Sequence, residues 1–162
     1  MITIRHVTMT DTERVIAIEF QNFSAEEAST VEAFHSHIRL NSDTFLVAEI
    51  AGEIAGFIEG PVIEGNFLTD DLFQGSLPNP KKGGTIAVTS LAIAKEYQGQ
   101  GVGTALIAAL KDVAVAQERQ GITLTCHDYL IPYYEMNGFK DNGLSTSTHG
   151  GGTWYNMSWR CP

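Results

Sequence analysis

Residues 2–7 alternate apolar and polar side chains, the period of a half-buried strand. Helical spacing follows, with Asp11 or Thr12 placed to cap a helix that runs to about Asn22. Ser24 with Glu27 and Ser29 with Glu32 are both Ser-x-x-Glu capping patterns. One of them is expected to start a second helix, in which Val31, Phe34 and Ile38 share a face with His35. Short apolar runs at 44–50 and 53–59 flank Ala51-Gly52 and predict a hairpin. Residues 61–84, rich in proline and acidic side chains, read as one long irregular connection, and connections of that length are often functional.

The second half is more regular. Residues 85–93 form a nearly continuous β-branched and apolar run, the pattern of a central strand covered on both faces. From Gly101 to about Gln120, Val102, Leu106, Ile107, Leu110, Val113 and Ala114 recur at helical spacing, and Gly121 stops the helix. Residues 122–126 read as a strand, Pro132 suits the first turn of a short helix ended by Gly138, and 139–143 and 154–159 read as closing strands. The order is strand, two helices, three strands, long helix, strand, helix, two strands, an α/β arrangement with a mixed sheet. Without repeats or linkers, the 162 residues are expected to form a single domain, 1–162.

Composition narrows the function. A 43% apolar and 18% charged chain fits an ordinary globular protein, and a net charge of -9 argues against sequence-independent binding to nucleic acid. Acidity suits cationic or neutral small partners. The amino-terminal residues lack the basic region and apolar run of a targeting signal, and no stretch reaches the roughly 18 apolar residues of a membrane span, so a cytoplasmic protein is expected. Cys126 and Cys161 are too few for a disulfide scaffold, and no Cys/His cluster has metal spacing, so no metal is expected.

The densest chemistry lies in LAIAKEYQGQGVGT, residues 91–104. Gly99, Gly101 and Gly103 alternate at the turn into the long helix, where unpaired backbone N–H groups and the helix dipole form a seat for an anion such as a phosphate. A dinucleotide fingerprint fails because Thr104 stands at the third glycine position, and the Lys-Ser or Lys-Thr ending of a Walker loop is missing.

Gln98, Gly101 and Gly103 instead fill Gln-x-x-Gly-x-Gly, which resembles the pyrophosphate loop of the GCN5-related N-acetyltransferases (GNAT). A second segment, CHDYLIPYYEMNGF, is similar to that family's Tyr-x-x-x-Gly-Phe ending, with Tyr134, Gly138 and Phe139 in place. Its Ile-Pro-Tyr-Tyr, and more faintly FSAEEAST at 23–30, resemble the arylalkylamine N-acetyltransferase branch. The resemblance implies a GNAT-like fold, with a mixed central sheet of about six to seven strands flanked by about four helices. It also implies transfer of an acetyl group from acetyl-coenzyme A, as co-substrate, to a primary amine of a small, cationic molecule, without nucleic acid or membrane partners. Homodimers are common in the family.

By the same resemblance, Gln98, Gly99, Gln100, Gly101, Val102, Gly103 and Thr104 would hold the pyrophosphate. Leu91, Ala92 and Ile93 would pair with the pantetheine arm like an added strand, one of their N–H groups polarising the thioester carbonyl. His127 stands where many members place an asparagine that contacts the pantetheine, and Tyr134 stands at the general acid. The branch's histidines before the loop are replaced by Ala87 and Thr89, which leaves His127, Asp128, Glu64 and His149 as candidates for the base. Two other readings stay open: a coenzyme A-binding sensor or interaction module without activity, and a mononucleotide-binding α/β protein.

Overall fold

The computed structural model describes residues 1–73 and 77–162. Among the described residues, four helices, α1 (Thr12–Asn22), α2 (Val31–Leu40), α3 (Val102–Ala116) and α4 (Ile131–Met136), flank nine strands. The strands are β1 (Thr3–His6), β2 (Phe45–Ile50), β3 (Glu53–Glu59), β4 (Val62–Ile63), β5 (Thr85–Val88), β6 (Ser90–Ile93), β7 (Gly121–Cys126), β8 (Lys140–Leu144) and β9 (Tyr155–Arg160). They form a four-stranded sheet, β1-β2-β3-β6, and a five-stranded sheet, β4-β5-β7-β9-β8, in which only β5 and β7 run parallel.

The hairpin expected at Ala51-Gly52 is present. Both residues have positive φ, 52° and 81°, the mirror-image turn whose twist matches paired strands. Helix α2 starts at Val31, one residue later than the Ser29–Glu32 pattern predicts and six later than the Ser24–Glu27 pattern. The Thr30 hydroxyl accepts from Ala33 N at 3.0 Å, while the Ser29 N–H is drawn away to the Glu19 carboxylate. The buried histidine of α2 is His37, and His35 is exposed. Helix α3 ends at Ala116, short of Gln120, because the chain reverses at Glu118 with φ 57°.

The expectation of one strand across 85–93 is corrected; its division, together with the short β4, brings about seven expected strands to nine among the described residues. The run breaks at Thr89 into β5 and β6, which belong to different sheets. β3 ends opposite the break: Thr89 N–H donates to the Glu59 carbonyl at 2.9 Å, and two residues earlier Ala87 N–H donates to Pro61 O at 2.8 Å. Gly60 sits between these contacts, where a Cβ would lie 1.8 Å from the Ala87 carbonyl oxygen. Gly60→Ala is therefore expected to cost about 3 kcal/mol or more, because the obstacle is backbone and cannot swing aside. Thermal unfolding checks this, and an unshifted midpoint would show that the strands separate without the close approach.

Two apolar layers follow. Leu106, Ile107 and Leu110 of α3 pack with Ile86, Ile122, Leu124 and Met157 on one side of the sheets. On the other, Val15 and Ile18 of α1 and Phe34 and Ile38 of α2 cover Phe45, Val47 and Phe57. Part of the 61–84 connection, residues 74–76, lies outside the described residues; its remainder contributes β4 and a buried cluster of Leu68, Leu72 and Phe73 against Ala87. Among the described residues, no helix is long and apolar enough to cross a membrane, and no group of three His, Cys, Asp or Glu side chains is placed to hold a metal.

Candidate active site

β5 stays paired with β7 as far as Val88 and Leu124, and then β6 leaves with the other sheet while β7 continues to Cys126. The separation opens a cleft walled by Thr89, Ser90 and Leu91 on one side and by Leu124, Thr125 and Cys126 on the other. β6 is an edge strand, paired only with β3. Ala94 N–H donates to Ala55 O of the β3 side, and backbone groups alternate along a strand. The polar groups of Ala92 are thus turned toward β3, and those of Leu91 and Ile93 toward the opening. On that edge the Ile93 carbonyl accepts from Asn22 Nδ2 at 2.9 Å and from Gln98 Nε2 at 3.1 Å, which leaves the polar groups of Leu91 and the Ile93 N–H facing the opening.

At the mouth of this cleft the glycine turn enters α3. Gly99 and Gly101 have φ of 79° and 80°, and a Cβ on either would meet open space, so their constraint is backbone conformation rather than crowding. Gly103 differs: its Cβ would fall 2.5 Å from the Tyr133 hydroxyl oxygen. Ala105 N–H makes the first helical bond, to Gly101 O at 3.0 Å, which leaves the N–H groups of Val102, Gly103 and Thr104 directed outward at the positive end of the helix. The Gln98 side chain faces inward, its Nε2 donating to Asn22 Oδ1 and to Ile93 O, both at 3.1 Å. Gln98 ties the loop to the end of β6, and the Val102 side chain is buried in the core. Gln100 is exposed.

Tyr134 lies on α4 and lines the cleft, its ring edge-on to Phe139 at 5.8 Å and to Tyr133 at 5.3 Å. Burial, then the neighbouring Cys126 and Tyr133, hold its phenol well above the usual range, so it stays protonated at neutral pH. Burial likewise pushes the Cys126 thiol up to about 11. A neutral thiol is a poor nucleophile.

The far end of the cleft is closed by three loops. Phe73, from the long connection, stacks on His149 at 3.9 Å, and His127 stacks on Trp154 at 4.2 Å. His127 Nε2 lies 2.6 Å from Glu27 Oε2, and His149 Nε2 lies 2.5 Å from the Glu27 carbonyl. Asp70 receives the Ser147 hydroxyl at 2.5 Å and the Thr148 N–H at 3.2 Å, fixing the β8–β9 loop. Of the four sequence candidates for a base, His127 and His149 line the cleft, whereas Glu64 and Asp128 are exposed and stand away from it. His127 sits at this closed end with its Nε2 engaged by Glu27.

Sequence reasoning missed a buried polar group. Glu19 of α1 is 1% exposed and lines the cleft; its Oε2 accepts from Ser29 N at 2.9 Å and Ser90 Oγ at 3.1 Å. Behind it, His37 Nδ1 lies 2.6 Å from Glu59 Oε2, and the Thr89 hydroxyl donates to Glu59 Oε1 at 2.7 Å. The available signal was a carboxylate one turn from Val15 on the apolar face of α1.

Comparison with known proteins agrees with this geometry. The profile of the Acetyltransferase (GNAT) family matches residues 11–139. An N-alpha-acetyltransferase of Sulfurisphaera tokodaii is 32% identical over 142 residues, 85% of this chain and 80% of that protein. Among solved structures, Ard1 from Thermoplasma volcanium superposes with a TM-score of 0.73 at 20% identity, covering 99% of this chain and 98% of that one. Arabidopsis thaliana Naa50, in complex with the bisubstrate analogue CoA-Ac-MVNAL, gives 0.72 at 14% identity, covering 98% and 97%. With the divided strand, the helix-entry glycine turn and a sequence match over most of its length in agreement, the chain belongs to the GNAT family and is an acetyl-coenzyme A-dependent N-acetyltransferase.

Proposed function

We propose that the protein, as one domain, acetylates a small primary amine by direct attack, with Tyr134 as general acid. The observation that carries this reading is the closed acceptor end. Phe73, His127, His149 and Trp154 roof the cleft, and a Cβ on Gly150 would lie 3.0 Å from the Glu26 carbonyl, so the β8–β9 loop rests directly on the α1–α2 loop. Such an enclosure suits a compact acceptor. Phe23, Phe73, Tyr129 and Trp154 supply aromatic walls for an arylalkylamine, and the carboxylate of Glu27 favours a cation.

The residues present fit acetyl-coenzyme A. Outward N–H groups of Val102, Gly103 and Thr104 match a pyrophosphate, and the edge of β6 at Leu91 and the Ile93 N–H matches an amide-bearing arm. When bound, the co-substrate supplies an activated acetyl thioester. The Leu91 N–H polarises its carbonyl, and the amine nitrogen forms the new N–C bond as the C–S bond breaks. Tyr134 gives its proton to the departing sulfur and regains one from the acylated nitrogen. Desolvation raises the basicity of that sulfur as it raises the phenol, which keeps the transfer matched. Cys126, neutral in the cleft, supports direct transfer rather than an acyl-enzyme. His127 we assign to the acceptor wall.

A peptide α-amine is the second reading, favoured by the named activity of the Sulfurisphaera tokodaii relative. Calorimetric titration with acetyl-coenzyme A, followed by thiol-release assays on arylalkylamines, polyamines and short peptides, separates the readings. Saturable binding lost in Gly101→Glu, with turnover of an arylalkylamine above that of peptides, is expected. Preference for peptides would move the acceptor to protein N-termini, and binding without turnover of any amine would leave a coenzyme A-binding module.

A further inference from the structure

Removing the proton of an ammonium acceptor requires a base, and beside the candidates the sequence offered the cleft holds a buried carboxylate next to β6. We propose that Ser90 and Glu19 form a relay that deprotonates the acceptor amine, an inference that rests on the amine-acetylation reading. Ser90 is the first residue of β6, immediately before Leu91, and both line the cleft. Its hydroxyl donates to Glu19 Oε2 at 3.1 Å, and the same carboxylate oxygen is oriented by Ser29 N–H at 2.9 Å. The proton arrives on Oε2 along the Ser90 hydrogen bond, which reverses its direction as it does so; among the described residues Glu19 Oε1 is buried with no hydrogen-bond partner, so no donor on that oxygen holds the carboxylate in its charged form.

The proton balance closes. Ser90 Oγ accepts a proton from the substrate ammonium as it passes its own to the Glu19 carboxylate, leaving a neutral amine, a neutral hydroxyl and a carboxylic acid. Glu19 later releases that proton to solvent. The second proton lost by nitrogen returns to Tyr134, so each turnover delivers one acetamide, one thiol and one free proton.

The surroundings tune the carboxylate for this task. Burial, assisted by the Glu59 charge on β3 and opposed by the Ser29 and Ser90 hydrogen bonds, pushes Glu19 up to about 8. The other titratable groups around it are His37 of α2, bonded to Glu59, and Glu27, His127, His149 and Tyr134 along the cleft. A base poised near neutrality is closer to the optimum for proton transfer than an ordinary carboxylate.

The test compares wild type, Ser90→Ala, Glu19→Gln and the double variant on two amines of similar shape. One is a strongly basic arylalkylamine and the other its β,β-difluorinated analogue, largely neutral at pH 7. On the basic amine each single variant is expected to lose at least about tenfold in kcat/KM, with the double variant no worse than Glu19→Gln. The ascending limb of the wild-type profile near pH 8 should vanish in Glu19→Gln. On the fluorinated amine the losses should shrink severalfold. A relay is overturned if both single variants match wild type, or if the losses are equal on the two amines, which would mark a purely structural contact. If wild-type enzyme acetylates no amine while acetyl-coenzyme A binds, the amine reading itself fails and the relay with it.

Discussion

Tyr134→Phe is expected to lower kcat by about 10²–10⁴-fold, or about 3–5 kcal/mol of transition-state stabilisation, while affinity for acetyl-coenzyme A stays close to wild type. The substitution removes one oxygen and leaves the ring, so its edge-on contacts with Phe139 and Tyr133 persist. The hydroxyl has no hydrogen-bond partner among the described residues, so its loss strands no other polar group. The effect must therefore come from the missing proton. Because burial raises the phenol, activity should not fall through the ordinary tyrosine range as pH increases. Steady-state kinetics with calorimetry decides the matter, and wild-type turnover in the variant would remove Tyr134 from the chemistry.

His37→Leu is expected to destabilise the fold by about 3–5 kcal/mol, because it leaves the Glu59 carboxylate buried without its cationic partner. At this chain length, that corresponds to a fall in Tm of roughly 10 °C. Both side chains are fully buried, so little water is available to take the imidazole's place. In the wild-type protein burial alone would lower His37, but the charge and hydrogen bond of Glu59 outweigh it and the net shift is upward. The sign is then fixed: this contribution is fully present below the unfolded histidine value near 6.5 and is lost as pH rises through the higher folded value. Glu19, raised from 4.5 to about 8, acts in the same direction. Wild-type Tm should decline from mildly acidic to alkaline pH, and the decline should be shallower in the variant. A Tm within 2 °C of wild type for His37→Leu would contradict this account.

Much of this was legible in the sequence because it rests on local rules. Ala51-Gly52 fixes a hairpin, and Gly101 followed by Val102, Leu106 and Leu110 fixes a helix entry, without reference to anything distant. The break at Thr89 is different in kind. Residues 85–93 have uniform β-forming character, and what divides them is the end of β3 some thirty residues earlier, at Glu59 and Gly60. Glu19 was hidden for a related reason. On its own helix it is one acid among neighbours, and only the arrival of Ser29 and Ser90 from other segments makes it a buried, oriented carboxylate. The motif position of His127 implies a cofactor contact, while the stacking of its ring on Trp154 and its bond to Glu27 are contacts that no local pattern announces.

The divided strand also bears on how such an enzyme changes over evolutionary time. The opening is made by Gly60, Glu59 and Thr89 through backbone contacts and the buried His37–Glu59 pair, whereas Phe23 and Tyr129 line it. Frame and lining are thus separately encoded. Substitutions at these two positions leave the wedge and the glycine turn intact, so acceptor preference can drift by single steps while the acetyl-delivery machinery is inherited unchanged.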